Sequence, residues 1–250
     1  MSSPPPLEAA IAAAQLAGSL LRENYGTELI VDELKHHDIK LNLDVRCQRL
    51  IAAQLLGAFP DHEMLGEEGN DGVSGAEYQW IVDPLDGTVN YFYGIPHFCV
   101  SIGLRRRGEI ILGVVFDPMM NELFTVEKAG RPTRNGKTIA VSARSELAEA
   151  IITVGFSKTA QSIQQGGARF VRLAPLVRKT RILGSAALAM AYVACGRLDA
   201  YIEESVSLWD VAAGILLVES AGGRVELRSS RDTPERFSIV ASNGRLQGLE

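Results

Sequence analysis

The run Trp80-Ile81-Val82-Asp83-Pro84-Leu85-Asp86-Gly87-Thr88 decides how the rest of the chain is read. Its apolar start has the composition of a strand and delivers Asp83 at the strand end. Pro84 lacks an N–H and fixes a turn, and Asp86 follows three residues after Asp83, with Gly87 and Thr88 opening a short helix. Two carboxylates can thereby converge on one point. Like charges raise each other's pKa, so a convergent pair calls for cations unless protons are shared. Oxygen-only donors match Mg²⁺, whereas a His and Cys set would have pointed to zinc. The N–H groups of Gly87 and Thr88 suit a phosphate at a helix N-terminus. Taken alone, one Asp-x-x-Asp reads first as a turn with a cap.

Around this run the chain changes character in order. Leu7, Ile11, Ala14, Ala17 and Leu21 recur at helical spacing, and that helix ends near Tyr25-Gly26. Asp44 is placed to cap a second helix, with Val45, Ala52, Leu55, Leu56 and Phe59 as apolar positions before Pro60. The segments 78–82, 98–104, 109–116 and 122–127 are short, β-branched or aromatic, and separated by turns, which predicts an antiparallel sheet. Asn135-Gly136 is the strongest local hairpin signal. From Ile151 the pattern alternates: strand 151–155, helix 168–177, strand 180–183, helix 186–195, strand 199–203, helix 211–221, then strands 224–227 and 237–241. This predicts an α+β half over 1–145 that holds the antiparallel sheet and acidic motifs, and an α/β half over 146–250 that completes the site. The two are expected to form one compact unit with the site in the cleft between them.

Composition bounds the function. At 250 residues, 46% of them hydrophobic and 22% charged, the chain has the composition of an ordinary globular protein. A net charge of −5 argues against nucleic acid as a main partner, because binding to a phosphate backbone is driven by clustered Lys and Arg. Arg105-Arg106-Arg107 before Gly108 reads as a solvated hairpin tip. Cys47, Cys99 and Cys195 are odd in number and far apart, so they support neither a disulfide framework nor a zinc site, and a reducing compartment fits. No leader pattern and no apolar run of spanning length is visible, so a cytoplasmic protein with no membrane partner is expected.

Two further acids flank the central run. Leu65-Gly66-Glu67-Glu68-Gly69 places a carboxylate pair in a loop before the strand, and Leu208-Trp209-Asp210 places another acid before an apolar helix. Singly these read as a solvated loop and an N-cap. No Gly-x-Ser-x-Gly elbow and no Gly-x-x-x-x-Gly-Lys loop is present, which weakens serine-hydrolase and nucleotide-triphosphatase readings.

Together the motifs resemble the inositol monophosphatase family of Mg²⁺-dependent, Li⁺-sensitive phosphatases. The resemblance rests on Gly66-Glu67-Glu68, on Trp80 through Thr88 continued by Val89-Asn90-Tyr91, and on Trp209-Asp210-Val211-Ala212-Ala213-Gly214 followed by Glu219-Ser220-Ala221-Gly222-Gly223. It spans nearly the whole chain. It implies a layered αβαβα sandwich of the inositol monophosphatase and fructose-1,6-bisphosphatase type, a homodimer, and two or three Mg²⁺ ions. By that resemblance Glu67, Asp83 and the carbonyl of Leu85 hold a first Mg²⁺, while Asp83, Asp86 and Asp210 hold a second. Glu67 also faces a third, weaker site. Glu67 and Thr88 would orient the attacking water, and Gly87 and Thr88 would hold the phosphate. Gly184-Ser185-Ala186 and Glu203 match segments that contact the rest of a small polyol or sugar phosphate. Trp209 is expected to pack beneath the site, and Glu68 and Glu204 to lie outside it. His97 is expected to be a structural residue.

One segment departs from the family pattern. Many members carry Lys-x-Asp and then Thr-x-x-Asp between the first two helices; aligning the acids as Asp38 and Asp44 puts His36 at the Lys and Leu41 at the Thr. The principal ligands stay intact, and the loop's part in the third metal site is placed in doubt. Inositol monophosphate is the expected substrate. Fructose 1,6-bisphosphate, histidinol phosphate and 3′-phosphoadenosine 5′-phosphate are the alternatives within the family, and a non-catalytic binding or scaffold protein is the alternative outside it.

Overall fold

The computed structural model describes residues 4–36, 38–229 and 236–249, with the side chains of Lys35 and Asp38 left aside. His37, and the side chain of Asp38 that the family pattern singles out, thus lie outside the described residues. The elements are, in chain order, α1 (Pro6–Asn24), β1 (Val31–Lys35), β2 (Asp38–Leu41), α2 (Asn42–Ala58), β3 (Glu63–Gly66), β4 (Gly69–Gly72), β5 (Tyr78–Asp86) and α3 (Thr88–Phe92). They continue with β6 (Cys99–Arg106), β7 (Glu109–Asp117), β8 (Glu122–Glu127), β9 (Thr133–Arg134), β10 (Lys137–Thr138), β11 (Ile151–Val154), α4 (Ala160–Leu173) and β12 (Lys179–Arg181). The last are α5 (Ala186–Ala194), β13 (Ala200–Ser207), α6 (Leu208–Ser220), β14 (Arg224–Ser229) and β15 (Arg236–Ser242).

Eight strands form a first sheet in the order β10-β9-β8-β7-β6-β5-β3-β4, and five form a second in the order β12-β11-β13-β15-β14. Side chains alternate across the first sheet as strand geometry requires. Trp80, Val82, Val100, Ile102, Leu104 and Val114 pack under α1 and α2, whereas Cys99, Val115, Phe124 and Val126 pack against α5 and α6. Those two helices are shared with Tyr201, Val206, Ile239 and Ala241 of the second sheet, whose other face carries Ile152, Val154 and Ile202 against Leu173 of α4. The result is five layers, αβαβα, as the resemblance implied. No helix among the described residues is long and apolar enough to cross a membrane.

The central helix layer sits unusually close to the first sheet. Gly103 and Gly113 are paired across β6 and β7, and a Cβ at Gly113 would stand 2.8 Å from the Ala213 carbonyl oxygen. Two glycines on adjacent strands therefore let α6 lie directly on the backbone, which sets the height of the helix that carries Asp210.

Several local expectations are corrected. The cap of α2 is Leu41, and Asp44 lies inside the first turn, accepting the Leu41 N–H at 2.9 Å. Likewise α6 starts at Leu208 with Ser207 as its cap, so Asp210 is inside the helix rather than before it, and accepts the Ser207 N–H at 2.7 Å. The helix expected at 168–177 runs instead over Ala160–Leu173, because Thr159 and Ser162 cap it reciprocally. The Arg105–Arg107 tip is a hairpin in which Glu77 pairs with Arg106 at 2.6 Å and Arg107 at 3.2 Å. Asn135 and Gly136 both have positive φ, 49° and 75°, as the expected hairpin turn demands.

Candidate active site

A cleft of about 450 Å³ opens where the ends of β3, β5, β11 and β13 meet the starts of α3, α5 and α6. Parallel pairing sets its first acids. β3 and β5 place Gly66 opposite Val82, so the next residues on each strand, Glu67 and Asp83, are neighbours. The Glu67 loop is pinned from α2 by Gln48, whose Oε1 accepts the Glu68 N–H at 2.9 Å and whose amide donates to Gly69 O at 2.9 Å. Asp83 Oδ1 accepts the Leu85 N–H at 3.0 Å, and the pairing of β5 with β6 is interrupted between Asp83 and Asp86. Pro84 sits in that interruption, where its missing N–H leaves no ladder bond unmade.

Asp86 is held from the other half of the chain. Its Oδ2 accepts from Ser185 Oγ at 2.5 Å and from the Ala187 N–H at 2.7 Å, and its Oδ1 accepts from the Ala186 N–H at 3.3 Å. The carboxylate therefore seals the N-terminus of α5, where helix N–H groups lack partners and negative charge is favoured. Asp210 completes the cluster from the first turn of α6.

These acids perturb one another. Burial and the nearby Asp210 push Glu67 up to about 8, and burial with the charge of Asp86 pushes Asp210 up to about 7. Burial first, then the charges of Glu67 and Asp86, hold Asp83 well above the usual carboxylate range. Asp86 is raised by burial, against the opposing pull of Ser185 and the α5 N–H groups.

The donor chemistry of this cluster fits Mg²⁺: four carboxylates and the Leu85 carbonyl, all oxygen, in one cleft with strongly unfavourable like charge. The fit lies in chemistry and charge rather than in a finished cage. Among the described residues no three His, Cys, Asp or Glu side chains stand ready as a ligand group, and Asp86 is engaged by Ser185 and the N-terminus of α5. The Leu85 carbonyl accepts the Thr88 hydroxyl at 2.9 Å and retains a second lone pair.

The expected contact residues meet here too. Gly87, at φ 97°, caps α3 so that the chain turns sharply from Asp86 into Thr88. Gly184, Ser185 and Ala186 line the same cleft, with the Ser185 hydroxyl and the Ala186 N–H directed to Asp86. Glu203 lies on β13, accepts the Tyr201 hydroxyl at 2.7 Å, and is pushed by burial up to about 8. Trp209 is half-buried and lines the cleft. Glu68 is paired with Lys40 at 2.6 Å and is nearly buried, and Glu204 is paired with Arg169 at 2.9 Å. His97 packs edge-on to Tyr192, with burial lowering its pKa. In the divergent loop, Leu41 is fully buried in the first core, so it cannot offer what a Thr would, while Asp44 lines a side depression beside Glu67.

Sequence reasoning missed Lys158 and Arg236, which line the cleft beside these acids. Lys158 follows the Gly155-Phe156-Ser157 loop at a strand end, a position that could have been flagged. Arg236 carries no local signal.

The inositol monophosphatase family profile matches residues 5–249. The chain belongs to the inositol monophosphatase family. It is 40% identical over 250 residues to the Nus factor SuhB of Xylella fastidiosa, covering 96% of this chain and 90% of that protein. It is 39% identical to the inositol-1-monophosphatase of Rhizobium meliloti, covering 92% of this chain and 88% of that one. Among solved structures, the extragenic suppressor protein suhB from Bartonella henselae superposes with a TM-score of 0.89 at 34% identity, over 96% of this chain and 94% of that chain. Membership in this family makes the chain one of a set of phosphatase-fold proteins that share the layered sandwich.

Proposed function

We propose that the chain is a Mg²⁺-dependent phosphomonoester hydrolase, with inositol monophosphate the substrate that its family likeness favours. One observation supports this most: Glu67, Asp83, Asp86 and Asp210, from three separate segments, share one cleft and are raised in pKa by burial and by one another. In this reading Glu67, Asp83 and Leu85 O hold one ion and Asp83, Asp86 and Asp210 another. Mg²⁺ when bound would supply charge neutralisation of the phosphoryl group and lower the pKa of water. The chain's own part is positioning. Thr88, fixed by its bond to Leu85 O, and Glu67 orient the attacking water, and Glu67 takes its proton. The N–H groups of Gly87 and Thr88 receive phosphate oxygens, and Asp86 is kept in place by Ser185 and α5. Gly184 and Glu203 face the hydroxyls of the leaving group. No covalent phosphoenzyme is required, and displacement in line by water suffices. A homodimer and Li⁺ sensitivity rest on the family likeness alone, and a cytoplasmic location on the three free cysteines, which fit a reducing compartment.

A second reading, a binding or scaffold protein, is favoured by Leu41 in the divergent loop and by relatives that carry the name Nus factor SuhB. Phosphate release from a panel of inositol, sugar and nucleotide mono- and bisphosphates, with and without Mg²⁺, separates the two. Metal-dependent release that Asp210→Asn abolishes supports the phosphatase. Silence across the panel from folded protein selects the scaffold.

A further inference from the structure

Asn90 lines the same cleft as the four carboxylates, yet among the described residues its side chain hydrogen-bonds none of them. It is the third residue of α3, half-buried and two positions beyond Thr88. A side-chain amide has two N–H donors, and here both are spent on backbone carbonyls: His97 O at 2.8 Å and Leu183 O at 2.9 Å. The first bond closes the loop that follows α3, whose other tie is the Ile95 N–H to Asn90 O at 2.8 Å. The second crosses 93 residues of sequence to the segment that leads into α5.

These two bonds set the spacing between two parts of the cleft. A Cβ on Gly87 would stand 3.0 Å from His97 O, so the carbonyl that receives Asn90 lies directly against the turn into Thr88. On the other side Gly184 has φ 78°, and a Cβ there would stand 3.0 Å from Asn90 Nδ2 and 3.1 Å from its Oδ1. The Gly184 backbone therefore rests on the amide itself, an approach that only glycine allows. Gly87, His97 O, the Asn90 amide, Leu183 O and Gly184 form one continuous row of contacts. The row needs two donors from one short side chain: a carboxylate would face two carbonyl oxygens, and a hydroxyl has a single donor. It is also separate from the bond of Ser185 to Asp86, so the acids keep their own tie to α5 when the row is broken.

We infer that Asn90 is a positioning residue for substrate choice: its amide holds the Gly184 backbone, which faces the leaving-group hydroxyls, at a fixed distance from the Gly87-Thr88 turn that receives the phosphate. This rests on the phosphomonoesterase reading and names what makes that site select a ring-sized polyol over a shorter alcohol. Asn90 acts through Gly184 and takes no part in the chemistry at phosphorus.

The test compares kcat/KM in Mg²⁺ for inositol monophosphate and for 2-hydroxyethyl phosphate, whose short alcohol lacks the ring hydroxyls. The wild type is expected to favour the inositol ester by about tenfold, the worth of one well-placed hydrogen bond. In Asn90→Ala that ratio falls towards one through a higher KM for the inositol ester, while kcat on the short ester and the Mg²⁺ concentration for half-maximal release stay as in the wild type. Asn90→Ser keeps one donor, should fall between the two, and carries the comparison if the alanine variant does not fold. A variant that loses the same factor on both esters is merely misfolded at the site and overturns the inference, as does a wild type without preference. Failure of the folded wild type to release phosphate from any ester overturns the phosphatase reading instead. Quenching of tryptophan fluorescence then still decides the role of Asn90, because Trp209 lines the cleft and the other tryptophan, Trp80, is fully buried in the first core. The wild type should bind inositol monophosphate about tenfold more tightly than inorganic phosphate, and Asn90→Ala should erase that difference. A difference that is absent from the wild type, or that survives in Asn90→Ala, sinks it.

Discussion

Ser185 Oγ donates to Asp86 Oδ2 at 2.5 Å across 99 residues of sequence, joining the acidic turn after β5 to the N-terminus of α5. Both groups are buried, at 4% and 8% exposure, so the bond is made away from competing water. It fixes which carboxylate oxygen is left for the cleft. Ser185→Ala should lower stability by about 1–2 kcal/mol in denaturant unfolding. It should also raise the Mg²⁺ concentration for half-maximal phosphate release by about tenfold, as loss of a supporting hydrogen bond does at other metal sites. An unchanged Mg²⁺ requirement would show that Asp86 is set by the α5 N–H groups alone.

Stability of the metal-free protein should depend on pH in a stated direction. Glu67 and Glu203, at about 8, and Asp210, at about 7, have folded pKa values above their ordinary 4.5 and 3.8. Their contribution is full below the ordinary values and is lost as pH rises through 7 to 8. His62 and His97, lowered by burial, act oppositely and weaken the fold as pH falls through their ordinary range. Melting temperature in chelator should therefore decline on the alkaline side of neutrality, and Mg²⁺ should flatten that decline. A rise in Tm from neutral to mildly alkaline pH in chelator would contradict the raised carboxylates.

Gly155 is needed to seat Glu203. A Cβ there would stand 1.6 Å from Glu203 Oε2 and 2.9 Å from its Cγ, so the whole carboxyl must move and give up the Tyr201 hydroxyl. If Glu203 faces the leaving group, as proposed above, Gly155→Ala should raise KM for polyol phosphates several-fold more than it lowers kcat. Equal effects on both constants would place Glu203 closer to the chemistry.

The close seat of α6 on the first sheet predicts a different outcome at Gly113. There a methyl group meets backbone, at 2.8 Å from Ala213 O and 3.1 Å from Ala213 Cα, and backbone cannot swing aside. Gly113→Ala should cost about 1–3 kcal/mol in urea unfolding, the range for overpacked cores. Because α6 carries Asp210, the folded variant should also bind Mg²⁺ more weakly. A stability loss with Mg²⁺ affinity intact would mean that the helix tilts about its N-terminus.

The sequence by itself determined the strands around Asp83, the two opening helices, the alternating second half and the ordered acidic motifs. Each of these is a local signal: period two or 3.6, a turn residue, or a carboxylate next to a strand end. Boundaries set by capping were read less well. Asp44 and Asp210 look like caps, yet both lie within the first turn of their helices, because Leu41 and Ser207 hold the cap positions. What only the tertiary structure decided lies between distant positions. Period and propensity carry no information on which groups meet between positions 31 to 99 residues apart. The bond of Ser185 to Asp86 arises only when the second half packs its helices onto the first sheet, while the close fit of Gly155 to Glu203 and the Ser205 carbonyl that gathers Ser157 and Arg236 arise when β11, β13 and β15 assemble into the second sheet. The sequence named the acids of the cleft, and the packing of the two sheets brought Arg236 and Lys158 beside them.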